Sequence, residues 1–187
     1  MAQTNLHNYS VQEKLNKMDV DVIDISATLT GDGTANDVMF VTTEIPNCVP
    51  VKGGTCILQS ITAVLTDHAT DASGTGSNVT GAFKLVFTSD SQVLGTVSDS
   101  VLDRVVDGGG TGNIDNWTRA VLDGTSAIVP ITIVQDLGEL GIAYKTNIGA
   151  VLKASSDSTS MYIWGITNST NDYNGATITL RLGVIKD

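Results

Sequence analysis

Eight short runs of strand-favouring residues recur along the chain, each closed by a cluster of Gly, Ser, Asn or Asp. They lie at 20–29, 38–45, 55–66, 81–89, 127–134, 148–155, 160–167 and 176–185. The first, VDVIDISATL, sets Val20, Val22, Ile23, Ile25 and Leu29 among Asp and Ser, and GDGTAND then turns the chain into VMFVTTEI. Runs this short, with turn chemistry between them and no long helical pattern, suit a sandwich or jelly roll. The expected fold is all-β: an antiparallel, jelly-roll-like β-sandwich over 19–187 with an N-terminal arm over 1–18 and at most one short helix. The helix is placed at 99–106, where Val101, Leu102, Val105 and Val106 share one side, Ser98 or Ser100 can cap, and a glycine run follows.

The last run, ATITLRLGVI, is rich in strand-favouring residues. Thr177, Ile178, Thr179, Leu180, Leu182, Val184 and Ile185 all suit a pleated surface, which predicts a strand paired inside a sheet rather than a tail.

Composition narrows the function. Hydrophobic residues make up 41% of the chain but aromatics only 5%, with 19 glycines, so the apolar mass comes from Val, Ile, Leu and Ala. Twenty acidic residues against ten basic ones give a formal net charge of −10, which opposes general binding to nucleic-acid phosphates. No apolar run has the length of a membrane span. The N-terminal MAQTNLHNYSVQEKLNKMD lacks the pattern of a signal peptide, which predicts synthesis in a cytosol. Neither nucleic acid nor membrane is an expected partner.

The inventory for catalysis is thin. His7 lies in the arm and His68 in a loop between Asp67 and Asp71, with no nucleophile elbow to serve. The glycine clusters at 74–76 and 108–112 lack both the P-loop ending and the dinucleotide setting. Asp32, Asn36 and Asp37, or Asp67, Asp71 and Asn78, could offer oxygen ligands to calcium, but neither set fits the twelve-residue loop and both read as solvated turns. Sequons at Asn78, Asn116 and Asn168 read as chance in a chain rich in Asn, Ser and Thr. Cys48 and Cys56 flank a PVKGG segment. They read as two reduced, buried thiols on neighbouring strands, with a small disulfide or a half-built metal site as the alternative. No catalytic residue, metal or cofactor is expected.

What remains points to contact. Residues 1–18 are polar and Asn-rich, with Val11, Leu15 and Met18 at helical spacing, so they read as an arm that docks on something, against the alternative of a frayed terminus. Its apolar anchors would be Leu6, Tyr9, Val11, Leu15 and Met18. Trp117, Tyr144, Tyr162, Trp164 and Tyr173 lie mainly in the C-terminal half. Tyr162 and Trp164, two apart, share a strand face and with Tyr173 are candidates either for the core or for a subunit interface.

Taken together, VPVKGGTCILQSITAVLTDHATD, GAFKLVFTSDSQVLGT and SMYIWGITNSTNDYNGATITLRLGVIKD resemble the virion structural proteins of marine tailed phages over about 38–187. The resemblance implies a capsid decoration or cement protein, often trimeric, made in the host cytoplasm and bound to the major capsid protein in the virion. A tail, fibre or glycan-binding module is the second reading. An enzyme such as a cupin is the third, and it is poor in the His that cupin metals need.

Overall fold

In a computed structural model of the chain, the described residues are 19–29, 32–33, 38–66, 82–91, 124–133, 135–136, 140–167, 171–172 and 176–186. Their strands are β1 (Asp19–Thr28), β2 (Asp32–Gly33), β3 (Val38–Ile45), β4 (Thr55–Thr66), β5 (Ala82–Thr88), β6 (Thr125–Thr132), β7 (Gln135–Asp136), β8 (Gly141–Lys145), β9 (Ala150–Lys153), β10 (Met161–Thr167), β11 (Asn171–Asp172) and β12 (Thr177–Lys186). The eight segments expected from the sequence are β1, β3, β4, β5, β6, β9, β10 and β12, with ends within two residues of the expectation. The helix expected at 99–106 and the arm at 1–18 lie outside the described residues.

Strand β8 went unread in the sequence for a physical reason. Its inward positions carry Gly141 and Ala143, both buried, while the larger Ile142 and Tyr144 face outward. The apolar alternation that marks a strand is therefore out of phase with the core here.

Two antiparallel sheets hold the long strands. One runs β1-β12-β4-β8-β7, with β9 also on β4; the other runs β3-β10-β5-β6; β2 and β11 form a separate small ribbon. Strands β8 and β9 occupy consecutive stretches of one edge of β4, with Lys145 opposite Ile61 and Ala150 opposite Leu58. Between them the chain bulges through Asn147 and Gly149, both at positive φ, and the Ile148 amide donates to the Gln59 carbonyl at 3.1 Å. They act as one interrupted strand.

Counted that way, eight long strands pair in nested order: β1 with β12, β3 with β10, β4 with β8 and β9, and β5 with β6. Successive nested pairs alternate between the two sheets. A long hairpin rolled on itself gives this connectivity, which is the jelly roll. The final strand lies between β1 and β4, bonded along both edges, as its composition predicted.

The core fills the space between the sheets. From the six-stranded sheet come Ile25, Ile178, Leu180, Leu182, Val184, Leu58, Ile61 and Leu65; from the other come Phe40, Phe83, Leu85, Phe87, Ile131 and Ile163. Each such side chain contributes roughly 1.5–3 kcal/mol on leaving water. The inward pattern on β4 skips from Leu58 to Ile61 because the register with β12 slips between Gly183 and Val184, leaving Gln59 as the extra residue.

Candidate contact surface

The anchors expected in the arm, Leu6, Tyr9, Val11, Leu15 and Met18, and the candidate Tyr173 lie outside the described residues. So do His7 and His68, Asn36, Asp37, Asp67, Asp71, the three sequon asparagines and the glycine clusters. On β10, Tyr162 pairs with Thr88 and Trp164 with Val86, placing both aromatics on one face as their spacing required. Trp164 is wholly buried, beside the buried Val86 on the face of the four-stranded sheet opposite Ile163, whereas Tyr162 is half-buried. Of that pair only Tyr162 keeps surface to offer a partner.

Cys48 and Cys56 are free thiols, both buried, with their sulfurs 3.4 Å apart. The expectation of two unbonded, buried thiols holds, but not that of neighbouring strands: Cys48 lies in the connection after β3, and β3 and β4 belong to different sheets. The hydrogen bond between them holds Cys56 below the usual thiol range and pushes Cys48 well above it, with the nearby Lys186 ammonium favouring the thiolate at both. Among the described residues no three His, Cys, Asp or Glu side chains gather, and no helix is long and apolar enough to cross a membrane.

The outward face of the six-stranded sheet along β1 and β12 is mostly polar, with Val22 as an exposed apolar residue at 63%. Arg181 Nε donates to Asp24 Oδ1 at 2.9 Å and Nη2 to Oδ2 at 3.0 Å, the two residues being directly opposite in register. This paired geometry draws the Asp24 carboxyl below its ordinary range. Two pairs along, the hydroxyls of Ser26 and Thr179 lie 3.2 Å apart, and towards the strand end Lys186 pairs with Asp21.

A different character appears where the two sheets meet along β6. The Lys153 amide on β9 donates to Ser126 Oγ on β6 at 3.4 Å, and Lys145 Nζ on β8 donates to the Pro130 carbonyl at 3.0 Å. These ties run β6 alongside the interrupted β8 and β9 strand. Apolar side chains stand out along this seam: Ile128 is 54% exposed, Val151 59% and Tyr144 63%. At its β9 end opens a cleft of about 590 Å³, lined by the hydroxyl residues Ser89, Thr125, Ser126, Ser155 and Ser156 and by Lys153.

No protein-family model and no curated protein sequence matches the chain. Solved structures do. The structure of tomato aspermy virus is 8% identical over 89% of this chain and 76% of that one, with a TM-score of 0.34. That of Desmodium yellow mottle tymovirus is 12% identical over 91% and 81%, with a TM-score of 0.27. That of Triatoma virus is 6% identical over 96% and 68%, with a TM-score of 0.25. The jelly-roll assignment itself rests on the nested strand pairs and their register.

The seam residues Ile128 and Val151 were invisible as surface in the sequence, because an exposed Val or Ile within a strand reads the same as a buried one. Tyr144 carried the one available signal, as an aromatic that shares its strand face with Ile142 while the other face holds only Gly141 and Ala143.

Proposed function

We propose that the chain is a non-enzymatic virion structural protein: a decoration or cement protein that binds the major capsid protein on the outside of a phage head and bridges shell subunits. The observation that carries this reading is the exposed apolar seam of Ile128, Tyr144 and Val151 on a jelly roll whose core is already filled. A closed core needs nothing more from those side chains, and apolar and aromatic residues concentrate at protein contacts. The sequence resemblance to phage virion proteins and the use of jelly rolls in viral capsids agree with it. In the same reading the protein is a homotrimer located in the virion, and residues 1–18 reach a neighbouring subunit through Leu6, Tyr9, Val11, Leu15 and Met18.

Mechanically, a cement protein needs no single strong contact. Many copies, each spanning two shell subunits, oppose separation because the second contact of each copy is intramolecular once the first has formed. The test is co-sedimentation with undecorated heads. The whole chain binds, protein lacking residues 1–18 folds but binds far more weakly, and Ile128→Lys with Val151→Lys loses binding without unfolding. Undiminished binding by all three proteins would sink the assignment.

One observation favours a second reading, a tail or fibre module that binds glycans. The cleft beside the seam offers five hydroxyl residues and one lysine, groups able to bond sugar hydroxyls. Binding to a glycan array with no binding to heads selects that reading.

A further inference from the structure

We propose that Cys48 and Cys56 are an oxidation site, at which a hydroperoxide converts two buried thiols into an intramolecular disulfide that ties the two sheets together at one corner. This inference stands apart from the virion reading and uses a different part of the molecule.

The placement comes from the topology. Cys48 follows the end of β3, a strand of the four-stranded sheet, and Cys56 is the second residue of β4 in the six-stranded sheet. The connection between them is fixed without help from the thiols. The Val49 amide donates to the Thr159 carbonyl, the Gly53 amide to Ser158 and the Ala154 amide to Gly54, each at 3.1 Å. Gly53 sits at φ +69°, and a Cβ there would come within 3.2 Å of the Ser156 backbone, so the turn is built for glycine. Within this frame the sulfurs face each other at 3.4 Å with both side chains buried. A disulfide length near 2.05 Å requires an approach of about 1.4 Å, within reach of side-chain rotation.

The two thiols are chemically unequal. Cys56 lies opposite Lys186 in the β4 and β12 register, and its hydrogen bond with Cys48 draws the Cys56 thiol down and pushes that of Cys48 up. Cys56 is the attacking sulfur and Cys48 the resolving one. The Cys56 thiolate attacks the terminal oxygen of the hydroperoxide, the O–O bond breaks, and the departing alkoxide takes a proton, leaving a sulfenic acid. Cys48 sulfur then attacks Cys56 sulfur and displaces hydroxide, which leaves as water with the Cys48 proton. In sum, two thiols and one hydroperoxide give a disulfide, an alcohol and water; hydrogen peroxide gives two waters.

The whole protein is treated with hydrogen peroxide, with and without later dithiothreitol, and read by intact mass, tryptic mapping and thermal midpoint. Lys52 lies between the two cysteines, so trypsin separates them into two peptides that stay joined only through sulfur. Expected are a mass lower by two hydrogens, the joined peptides, and a midpoint raised by about 5–10 °C and returned by dithiothreitol. Cys48→Ser stops at a sulfenic acid on Cys56 that a dione reagent traps, with no rise in midpoint. If that variant fails to fold, the peptide map and midpoint of the unaltered chain decide. Thiols that stay free, oxygen added to each cysteine separately, a link between two chains, or a link without a higher midpoint would each overturn the proposal.

Discussion

Gly165 shows how tightly a single position is held. A Cβ added there would lie 2.6 Å from Cε1 and 3.1 Å from Cδ1 of the Phe40 ring, at the point where the register between β10 and β3 slips. Phe40 is itself buried and has little room to withdraw. Gly165→Ala is therefore expected to cost roughly 1–3 kcal/mol, read as a lower urea midpoint with unchanged slope. At the surface the balance differs. The Arg181 hydrogen bonds hold the Asp24 carboxyl below its unfolded value, so the pair stabilises the fold fully above about pH 4 and that contribution fades as pH falls through the folded value. Both groups are solvent-exposed, and the effect is correspondingly small. Asp24→Asn should flatten the acid limb of a thermal midpoint curve between about pH 4 and pH 2 and leave the neutral plateau nearly unmoved.

Strand β12 is the element on which the six-stranded sheet depends. It bonds β1 along one edge and β4 along the other, and it sends Ile178, Leu180, Leu182 and Val184 into the core. Removing residues 177–186 separates β1 from the rest of its sheet and opens the sandwich, so the truncated chain should show neither a cooperative melt nor a native β-sheet circular dichroism spectrum. A gentler test is Leu182→Ala, expected to cost about 2–5 kcal/mol in chemical denaturation, because a fully buried leucine leaves a cavity that two flanking strands cannot close. The pair β8 and β9 gives the contrasting lesson. The sequence announced β9 through Val151 and Leu152 but left β8 silent, since its inward Gly141 and Ala143 are too small to give an apolar alternation.

For the whole molecule, the nested pairing places first against last, so the fold is dominated by contacts distant in sequence. Asp24 and Arg181, 157 residues apart, sit directly opposite one another. Long-range pairing of this kind slows folding relative to helical proteins of similar length. The seam of Ile128, Tyr144 and Val151 belongs to this scale, because it exists only where the edges of the two sheets come together. Light scattering after size exclusion should give a trimer mass for the intact protein. Ile128→Lys with Val151→Lys should shift it towards monomer with an unchanged thermal midpoint if the seam carries self-contact, and leave the trimer intact if the seam faces the shell alone.

The amino-acid sequence determined the class of structure. Period-two alternation with Gly, Ser, Asn and Asp between the runs located eight of the long strands, and the density of β-favouring residues in 176–185 marked a strand with two partners. These are local properties, carried by side-chain preference and turn chemistry that act over a few residues. It also placed the two thiols near one another, eight positions apart across a turn. Only the tertiary structure decided which strand pairs with which, that Trp164 is buried while Tyr162 keeps surface, and that Ile128 and Val151 point to solvent. Burial is set by what another part of the chain lays over a residue. A valine or tryptophan in a strand has the same local pattern whether or not that partner is there.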